Sequence, residues 1–547
     1  MAEGSQQFDY IIVGAGSSGC TLAGRLSEDP GTSVLLLEAG PPDDSFWIHL
    51  PIGYGKTMWD PRLNWKFETE PDPGMADRRL YWPRGKTLGG SSSINGLIYI
   101  RGQRQDYDNW AALGNPGWAF ADVLPYFRRA EDNARGASEY HGAGGPLKVS
   151  NIEGGNELID AFIAGAEQIG VPRTDDFNGA EQEGVGYYQL NTHRGWRFSA
   201  AKAYLKPARS RANLKIHTGA QAAELIFADG ERRVIGVRYR EGGQMKTAHC
   251  RAEVLLAAGA VQSPQLLELS GIGSPGVLAD AGIGVRHELR GVGENLQDHL
   301  QVRLTFECSK PITTNDELNS LFGRARIGLQ WMLRRAGPLA VGINQGGCFM
   351  RALKDEHGRP VAATPDIQFH VATLSADMAG GQVHKHSGFT FSVCQLRPES
   401  RGTIHLRSVD PFAAPAIRPN YLSTDLDRRT TLAGVQAARD IAAAPAMRAL
   451  IKREFMPGEA VQGEAALLEI CRNKGQTIFH PVGTVKMGPV SDPLAVVDAR
   501  LRVHGVAGLR VIDCSVMPTL VSGNTHAPAV MIAEKAVDMI REDLRAA

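Results

Sequence analysis

The chain has 547 residues, too many for one ordinary hydrophobic core, and its 43% hydrophobic and 22% charged content is that of a globular protein in water. The 59 Lys plus Arg residues balance 59 Asp plus Glu, so no net field draws the chain to nucleic acid or to an anionic surface. Seven cysteines (Cys20, Cys250, Cys308, Cys348, Cys394, Cys471, Cys514) are scattered, odd in number and never in C-x-x-C spacing. They read as reduced thiols and place the protein in the cytoplasm.

The first predicted element is a strand from Tyr10 to Val13, followed at once by Gly14, Gly16 and Gly19 in G-x-G-x-x-G spacing. A helix from about Ser17 to Ser27 and a second strand ending on Glu38 complete a dinucleotide-binding βαβ pattern. Gly14 permits the tight turn, Gly16 lets backbone approach a pyrophosphate, and Gly19 lets helix pack on strand. The helix N-terminus faces the phosphates, and Glu38 accepts hydrogen bonds from an adenosine ribose, which favours an unphosphorylated one. This block alone leaves NAD and FAD both open. Ahead of it, MAEGSQQ carries an acid and no basic cluster, so no signal peptide is expected. No uninterrupted apolar run reaches the roughly eighteen residues of a membrane span. A peripheral membrane contact stays open but leaves no clear trace.

After Glu38 the regular repeat stops, and Pro41, Pro42, Pro51, Pro61, Pro71, Pro73 and Pro83 punctuate an extended, Trp-containing region. The stretch from Trp82 to Gly102, WPRGKTLGGSSSINGLIYIRG, is dense in glycine and serine, which lets backbone lie flat against a planar ligand. Segments Asn213 to Ile226 and Val234 to Tyr239 read as hairpin material with a turn at Asp229 and Gly230. Val254 to Ala257 reads as a buried strand and Ser263 to Ser270 as a helix returning to the nucleotide lobe. From Arg303 to about Cys394, strand-like segments alternate with a helix near Leu321 to Arg334, which implies a mixed sheet roofed by helices. Near the C-terminus come a short strand from Leu509 to Ile512 and a helix from about Pro528 to Glu542 with Asn524, Thr525 and His526 at its start.

Two further groups are weighed and set aside. Trp47, Trp59, Trp65, Trp82 and Tyr81 could cage a quaternary ammonium, but packing under a loop explains them better. The pair His384 and His386 has no accompanying Cys or carboxylate cluster, so no metal site is expected.

Four ordered blocks, GAGSSG with Glu38, PRGKTLGGSSSINGLIYIRG, GAVQSPQLLELSGIG, and HPVGTVKMG followed by SGNTHAPAVMIAEKA, resemble the glucose-methanol-choline (GMC) oxidoreductases over nearly the whole chain. Within that family the resemblance is to choline-dehydrogenase-like alcohol dehydrogenases and oxidases. It implies an α/β fold: a discontinuous Rossmann-like FAD-binding lobe plus a substrate-binding lobe with a mixed antiparallel sheet roofed by helices. The expected division is 1–150, 213–302 and 475–547 for the FAD and catalytic parts, and 151–212 and 303–474 for the substrate lobe.

The resemblance also implies FAD as cofactor, held by Gly14, Gly16, Ser17, Ser18, Glu38 and Ala39 at the pyrophosphate and adenosine ribose. Arg84, Gly89, Gly90, Ser91, Asn95, Gly96 and Leu97 are implied on the isoalloxazine and ribityl side, with Ala222 near adenine and Asp513 near the ribityl phosphate. Ile94 stands where some members carry a histidine joined to the flavin, so binding is expected to be noncovalent. The implied reaction oxidises a primary alcohol to an aldehyde by hydride transfer to flavin N5. His480 is the implied general base, because neutral imidazole takes the hydroxyl proton near working pH. Asn524 is the implied clamp on the substrate oxygen, with His526 as a further catalytic or substrate contact. A small alcohol is the expected partner, with quinone or oxygen as electron acceptor and no nucleic acid. The alternative carried alongside is an FAD-containing hydroxynitrile lyase, in which the same imidazole deprotonates a hydroxyl without redox change. Light-driven decarboxylation is disfavoured because His480 is retained.

Overall fold

A computed structural model describes residues 6–378 and 380–546. The opening residues 1–5, on which part of the expectation about a signal peptide rests, lie outside the described residues.

The first sheet has seven strands, and its core is short parallel apolar strands buried on both faces. Gln6–Val13 lies between Val34–Glu38 and the thirteen-residue strand Gln244–Leu256, and Leu214–Thr218 extends the sheet beyond Val34–Glu38. On its other edge the long strand serves two further neighbours in turn. Its first half pairs antiparallel with Val234–Glu241, and its last residues, Val254 to Leu256, pair parallel with Leu509–Val511. Segments far apart in sequence therefore close one sheet. The hairpin expected between 213–226 and 234–239 forms, with its turn where Gly230 has φ +72°, but its first arm is corrected: only Ala220–Phe227 pairs with Val234–Glu241, while Leu214–Thr218 sits at the opposite edge of the sheet.

The second sheet also has seven strands, in the order Ile451–Met456, Leu300–Cys308, Gly388–Gln395, Ile367–Ala372, Asn344–Met350 and Gly184–Tyr187, with Gln476–Thr477 beside Leu300–Cys308. Every pairing in it is antiparallel, so the sheet is not mixed in strand direction. Its two faces differ by the two-residue period of a strand. Val302, Leu304, Phe369, Val371, Phe391 and Val393 pack under the helices Glu157–Gln168 and Asp425–Ala443, with Phe162 edge-on to Phe391 at 5.0 Å between ring centres. The opposite face carries Gln301, Arg303, His370 and Ser392 and looks into a cavity.

Helix Ser17–Leu26 packs against the terminal helix His526–Ala546, which begins two residues earlier than its sequence pattern indicated. Helix Leu321–Arg334 lies over the cavity with Ile327 and Trp331 turned inward, while Leu321, Phe322, Leu329, Met332 and Leu333 stay exposed. Among the described residues no helix is long and apolar enough to cross a membrane.

Candidate active site

One cavity of about 990 Å³ runs from the carboxyl ends of the parallel strands to the polar face of the second sheet. Val13, Glu38, Ala257 and Asp513 stand at those strand ends or just beyond them, the position where open α/β sheets bind their ligands. A volume near the upper end of the usual pocket range suits a long ligand with room left for a small substrate.

The glycine turn is shaped residue by residue. Gly14 has φ +97°, and a Cβ there would lie 2.6 Å from the Ala257 carbonyl oxygen. A Cβ on Gly19 would lie 1.8 Å from the Gly14 carbonyl oxygen, so only glycine lets this helix pack on the turn. At Gly16 and Gly96 a Cβ would meet nothing within 4 Å: both present bare backbone to the cavity. Glu38 accepts from the Ala15 N–H at 2.9 Å and from the Gly40 N–H at 2.8 Å, and burial pushes its carboxyl up to about 7. The Asp513 carboxylate accepts from Gly259 N–H, Ser263 Oγ and Ser515 N–H, and burial raises its pKa.

Ser17, Ser18, Ala39, Arg84, Gly90, Ser91, Asn95, Leu97 and Ala222 also line the cavity. Gly89 does not. It forms the turn behind the wall, with φ +88° and its N–H donated to the Ala15 carbonyl at 2.8 Å. Asn95 Oδ1 accepts from the Leu97 N–H and from Arg197 Nη1, which holds the Asn95–Leu97 segment in shape. His526 belongs to the dinucleotide end: its Nδ1 is 2.8 Å from Ser17 Oγ, its Nε2 is buried without a partner, and burial brings it down to about 4.

At the other end, His480 and Asn524 meet, with Asn524 Nδ2 at 3.2 Å from His480 Nε2. Two backbone carbonyls fix every donor direction in the chain of groups that holds them. Tyr188 donates its hydroxyl to the Phe369 carbonyl at 2.6 Å, so it accepts from Gln368 Nε2, whose other N–H goes to Asn524 Oδ1 at 3.1 Å. The Asn524 amide nitrogen therefore faces His480 and donates to it. From the other side, His299 donates Nε2–H to the Leu396 carbonyl at 2.8 Å, which leaves its Nδ1 as an acceptor 3.0 Å from His480 Nδ1. His480 thus carries its proton on Nδ1 and presents an unprotonated Nε2.

Burial, then the neighbouring His299, His370 and Arg84, hold the His480 imidazole well below the ordinary histidine range. The same burial brings His299 down to about 4, and burial with His299 brings His370 down to about 3. The backbone beneath the imidazole is pinned as well. Asp298 accepts the His480 N–H at 2.7 Å, and Phe479, at φ +71°, gives its N–H to Thr477 and its carbonyl to Arg84. A bulky residue held at positive φ beside a functional group is backbone strain that the surrounding contacts fix in place.

Tyr188, His299, Gln368, His370 and Arg303 were not among the residues selected from the sequence. The signal was present: polar residues recur every second position in LQVRLTFEC and IQFHVA. Such alternation usually marks a solvent face, and here it marks a cavity face. Of the aromatic residues considered as a cage, Trp47 and Trp65 line the cavity, while Trp59, Tyr81 and Trp82 do not. Trp59 stacks on Tyr81, Trp65 on Phe67, Trp82 is in the core, and Lys56 already covers Trp47 at 3.9 Å. His384 and His386 stack on one another, and His384 bonds Ser375 and Asp377.

A glycine-turn nucleotide lobe facing a second sheet across one cavity, with an unprotonated imidazole and an amide at its far end, defines a flavin-dependent oxidoreductase. The chain belongs to the GMC oxidoreductase family, whose N-terminal and C-terminal patterns match residues 8–301 and 398–533. It is 43% identical over 547 residues to the mitochondrial choline dehydrogenase of Homo sapiens, covering 99% of this chain and 91% of that one. It is 44% identical to the oxygen-dependent choline dehydrogenase of Escherichia coli, covering 98% and 96%. Among solved structures, a formate oxidase superposes with a TM-score of 0.92 at 26% identity, covering 99% of each chain. Pyridoxine 4-oxidase from Mesorbium loti superposes at 0.87 with 30% identity, covering 98% and 99%. The protein is accordingly an FAD-dependent enzyme that oxidises alcohols, and nothing in these relatives supports the hydroxynitrile lyase alternative.

Proposed function

We propose that this enzyme oxidises a primary alcohol to an aldehyde with His480 as the general base and Asn524 as the clamp on the substrate oxygen. The observation that carries this reading is the unprotonated His480 Nε2 facing the Asn524 amide at 3.2 Å. A hydroxyl entering there donates its proton to Nε2 and accepts from the Asn524 N–H, which also steadies the alkoxide charge as it develops. FAD, when bound, supplies the hydride acceptor.

The cavity fits that group. Gly16 and Gly96 leave backbone bare to it, and His526 Nε2 is a buried nitrogen with no protein partner. On this reading Gly14, Gly16, Ser17, Ser18, Glu38 and Ala39 hold the adenosine ribose and pyrophosphate, with Ala222 at adenine. Arg84, Gly90, Ser91, Asn95, Gly96, Leu97 and Asp513 hold the rest, Gly89 supports the turn, and His526 serves the cofactor rather than the substrate. Binding is noncovalent, because Ile94 offers no nucleophile to the ring. The lobes follow the five segments 1–150, 151–212, 213–302, 303–474 and 475–547.

For the acceptor, the exposed apolar residues of Leu321–Arg334 lie beside Arg324, Arg326, Arg334 and Arg335, a basic amphipathic face at the cavity mouth. This face suits peripheral contact with an anionic membrane and electron transfer to a quinone there. The seven free cysteines favour a cytoplasmic setting.

The test is anaerobic mixing of oxidised enzyme with an alcohol panel while flavin absorbance is followed. His480→Ala is expected to slow bleaching by about 100-fold or more with FAD still bound. Unchanged bleaching in that variant removes His480 from the mechanism.

A further inference from the structure

Four arginines are buried in the described residues: Arg101, Arg197, Arg303 and Arg510. Two are ion-paired, and a third, Arg197, is held by acceptors on its Nε and Nη1 while its Nη2 has no partner. Arg101 pairs with Glu131, Arg510 with Glu253 and Asp543, and Arg197 donates to the Ile48 and Ser92 carbonyls and to Asn95 Oδ1. Arg303 is 8% exposed, lines the cavity, and has no hydrogen bond or ion pair to any described residue; its Nη1 is buried and unpartnered. A guanidinium removed from water without an acceptor is costly. The acidic groups that act on it are the Tyr54 phenol, which lines the same cavity, and one carboxylate, Asp377, which is 92% exposed and already bonded to His384.

The sheet register shows where Arg303 points. Arg303 pairs with Ser392, and Ser392 with His370, so the three side chains form a row across three strands on the cavity face. One row nearer the reacting end, Gln301, Cys394 and Gln368 are in register, and Gln368 bonds Asn524. Arg303 is therefore two strands across from His370, about 10 Å at the backbone, and one row from the residues that hold the Asn524 amide. Among the described residues, the carboxylates lining the cavity are Glu38 and Asp513, both at the nucleotide lobe, while Arg324 and Lys56 add positive charge.

We infer that the alcohol this enzyme oxidises carries an anionic group, a carboxylate or its equivalent, which Arg303 binds while the hydroxyl sits between His480 and Asn524. This rests on the proposed alcohol oxidation at that pair. A planar guanidinium matches a carboxylate with two parallel N–H donors, and the row spacing allows a short carbon chain between acid and hydroxyl. A trimethylammonium alcohol finds no carboxylate at this end of the cavity and meets the Arg303 charge instead.

The test compares 4-hydroxybutyrate and 6-hydroxyhexanoate with 4-hydroxybutyramide, 1-butanol and choline as reductants of the oxidised holoenzyme, without oxygen. At least one hydroxycarboxylate is expected to exceed the amide and choline by about 30-fold or more in kcat/KM. In Arg303→Met that advantage disappears through a raised KM, while 1-butanol and FAD content are unchanged. Calorimetry gives a readout without turnover: butyrate binds the wild-type holoenzyme more tightly than butyramide, and Arg303→Lys retains part of the difference if Arg303→Met does not fold. Choline or the amide matching the hydroxycarboxylates overturns the inference and leaves alcohol oxidation standing. So does an Arg303→Met variant that binds FAD and keeps the carboxylate preference. Failure of every alcohol to bleach the flavin overturns the oxidation mechanism itself, and this inference with it.

Discussion

At the scale of single residues, the imidazole of His480 does its work because other groups decide where its proton sits. His299 is a positioning residue in this sense: its Nδ1 accepts from His480 Nδ1, and the Leu396 carbonyl keeps it in the tautomer that can accept. His299→Ala removes one of the two contacts that hold this tautomer, leaving only the Asn524 amide to oppose protonation of Nε2, the form that cannot receive the alcohol proton. Flavin reduction is expected to slow by about 10-fold or more, a part of what a positioned general base contributes, while the bound flavin spectrum stays as it is. The pH profile follows from the same surroundings. The neutral imidazole is the active form, and burial first, then the neighbouring His299 and His370 imidazoles and the Arg84 guanidinium, keep it neutral to lower pH. The rate of flavin reduction should therefore stay level as pH falls from 8 through 6.5, the ordinary histidine value, with its acid limb on the acid side of that value. An inflection centred at 6.5 would show an imidazole in ordinary solvent and contradict the packing described.

At the scale of elements, the turn between the first strand and helix Ser17–Leu26 separates two kinds of glycine. Gly16→Ala places a methyl group where no protein atom lies within 4 Å, so the fold should melt as before while FAD affinity falls. Gly19→Ala drives a methyl group to 1.8 Å from the Gly14 carbonyl oxygen, so helix and strand must separate and the protein itself should lose stability. Thermal melting of the FAD-stripped variants, followed by FAD titration, distinguishes the two. This block was legible in sequence because its physics is local: turn, helix start and acid lie within forty residues. The second sheet was less so. Its strands were readable as strands, but Gln301, Arg303, His370 and Ser392 face a cavity only because helices Glu157–Gln168 and Asp425–Ala443 cover the other side. For the same reason His299 was invisible, since its partner is 181 positions away. The segment from Leu214 to Phe227 read as one hairpin arm because the sharp break at Gly219, φ +66°, carries no signal about which sheet edge each half joins.

At the scale of the whole molecule, the terminal helix closes what the first residues began. Glu534, in the middle of that helix and fully buried, accepts from Arg25 Nε at 3.0 Å, from Arg129 Nε at 2.8 Å and from the Tyr204 hydroxyl at 2.8 Å. Three segments from the first two hundred or so residues thus converge on one carboxylate that the chain supplies last. Around it Ser18 donates to the Ala529 carbonyl, and Arg541 to the Arg25 carbonyl, so both ends of the contact between helix Ser17–Leu26 and the terminal helix are tied. Replacing a buried, fully bonded charge leaves its partners facing each other without compensation, which costs on the order of 3 kcal/mol. Glu534→Ala should therefore lower the unfolding midpoint, whether the protein is loaded with FAD or stripped of it. Because His526 begins the same helix and reaches Ser17 at the dinucleotide turn, the variant should also release FAD faster at temperatures where it is still folded. Arg25→Ala in the Glu534→Ala background should add little further loss, since the carboxylate it served is already gone. A double variant that loses as much as the sum of the two singles would show the contacts acting independently and would refute a shared anchor at Glu534.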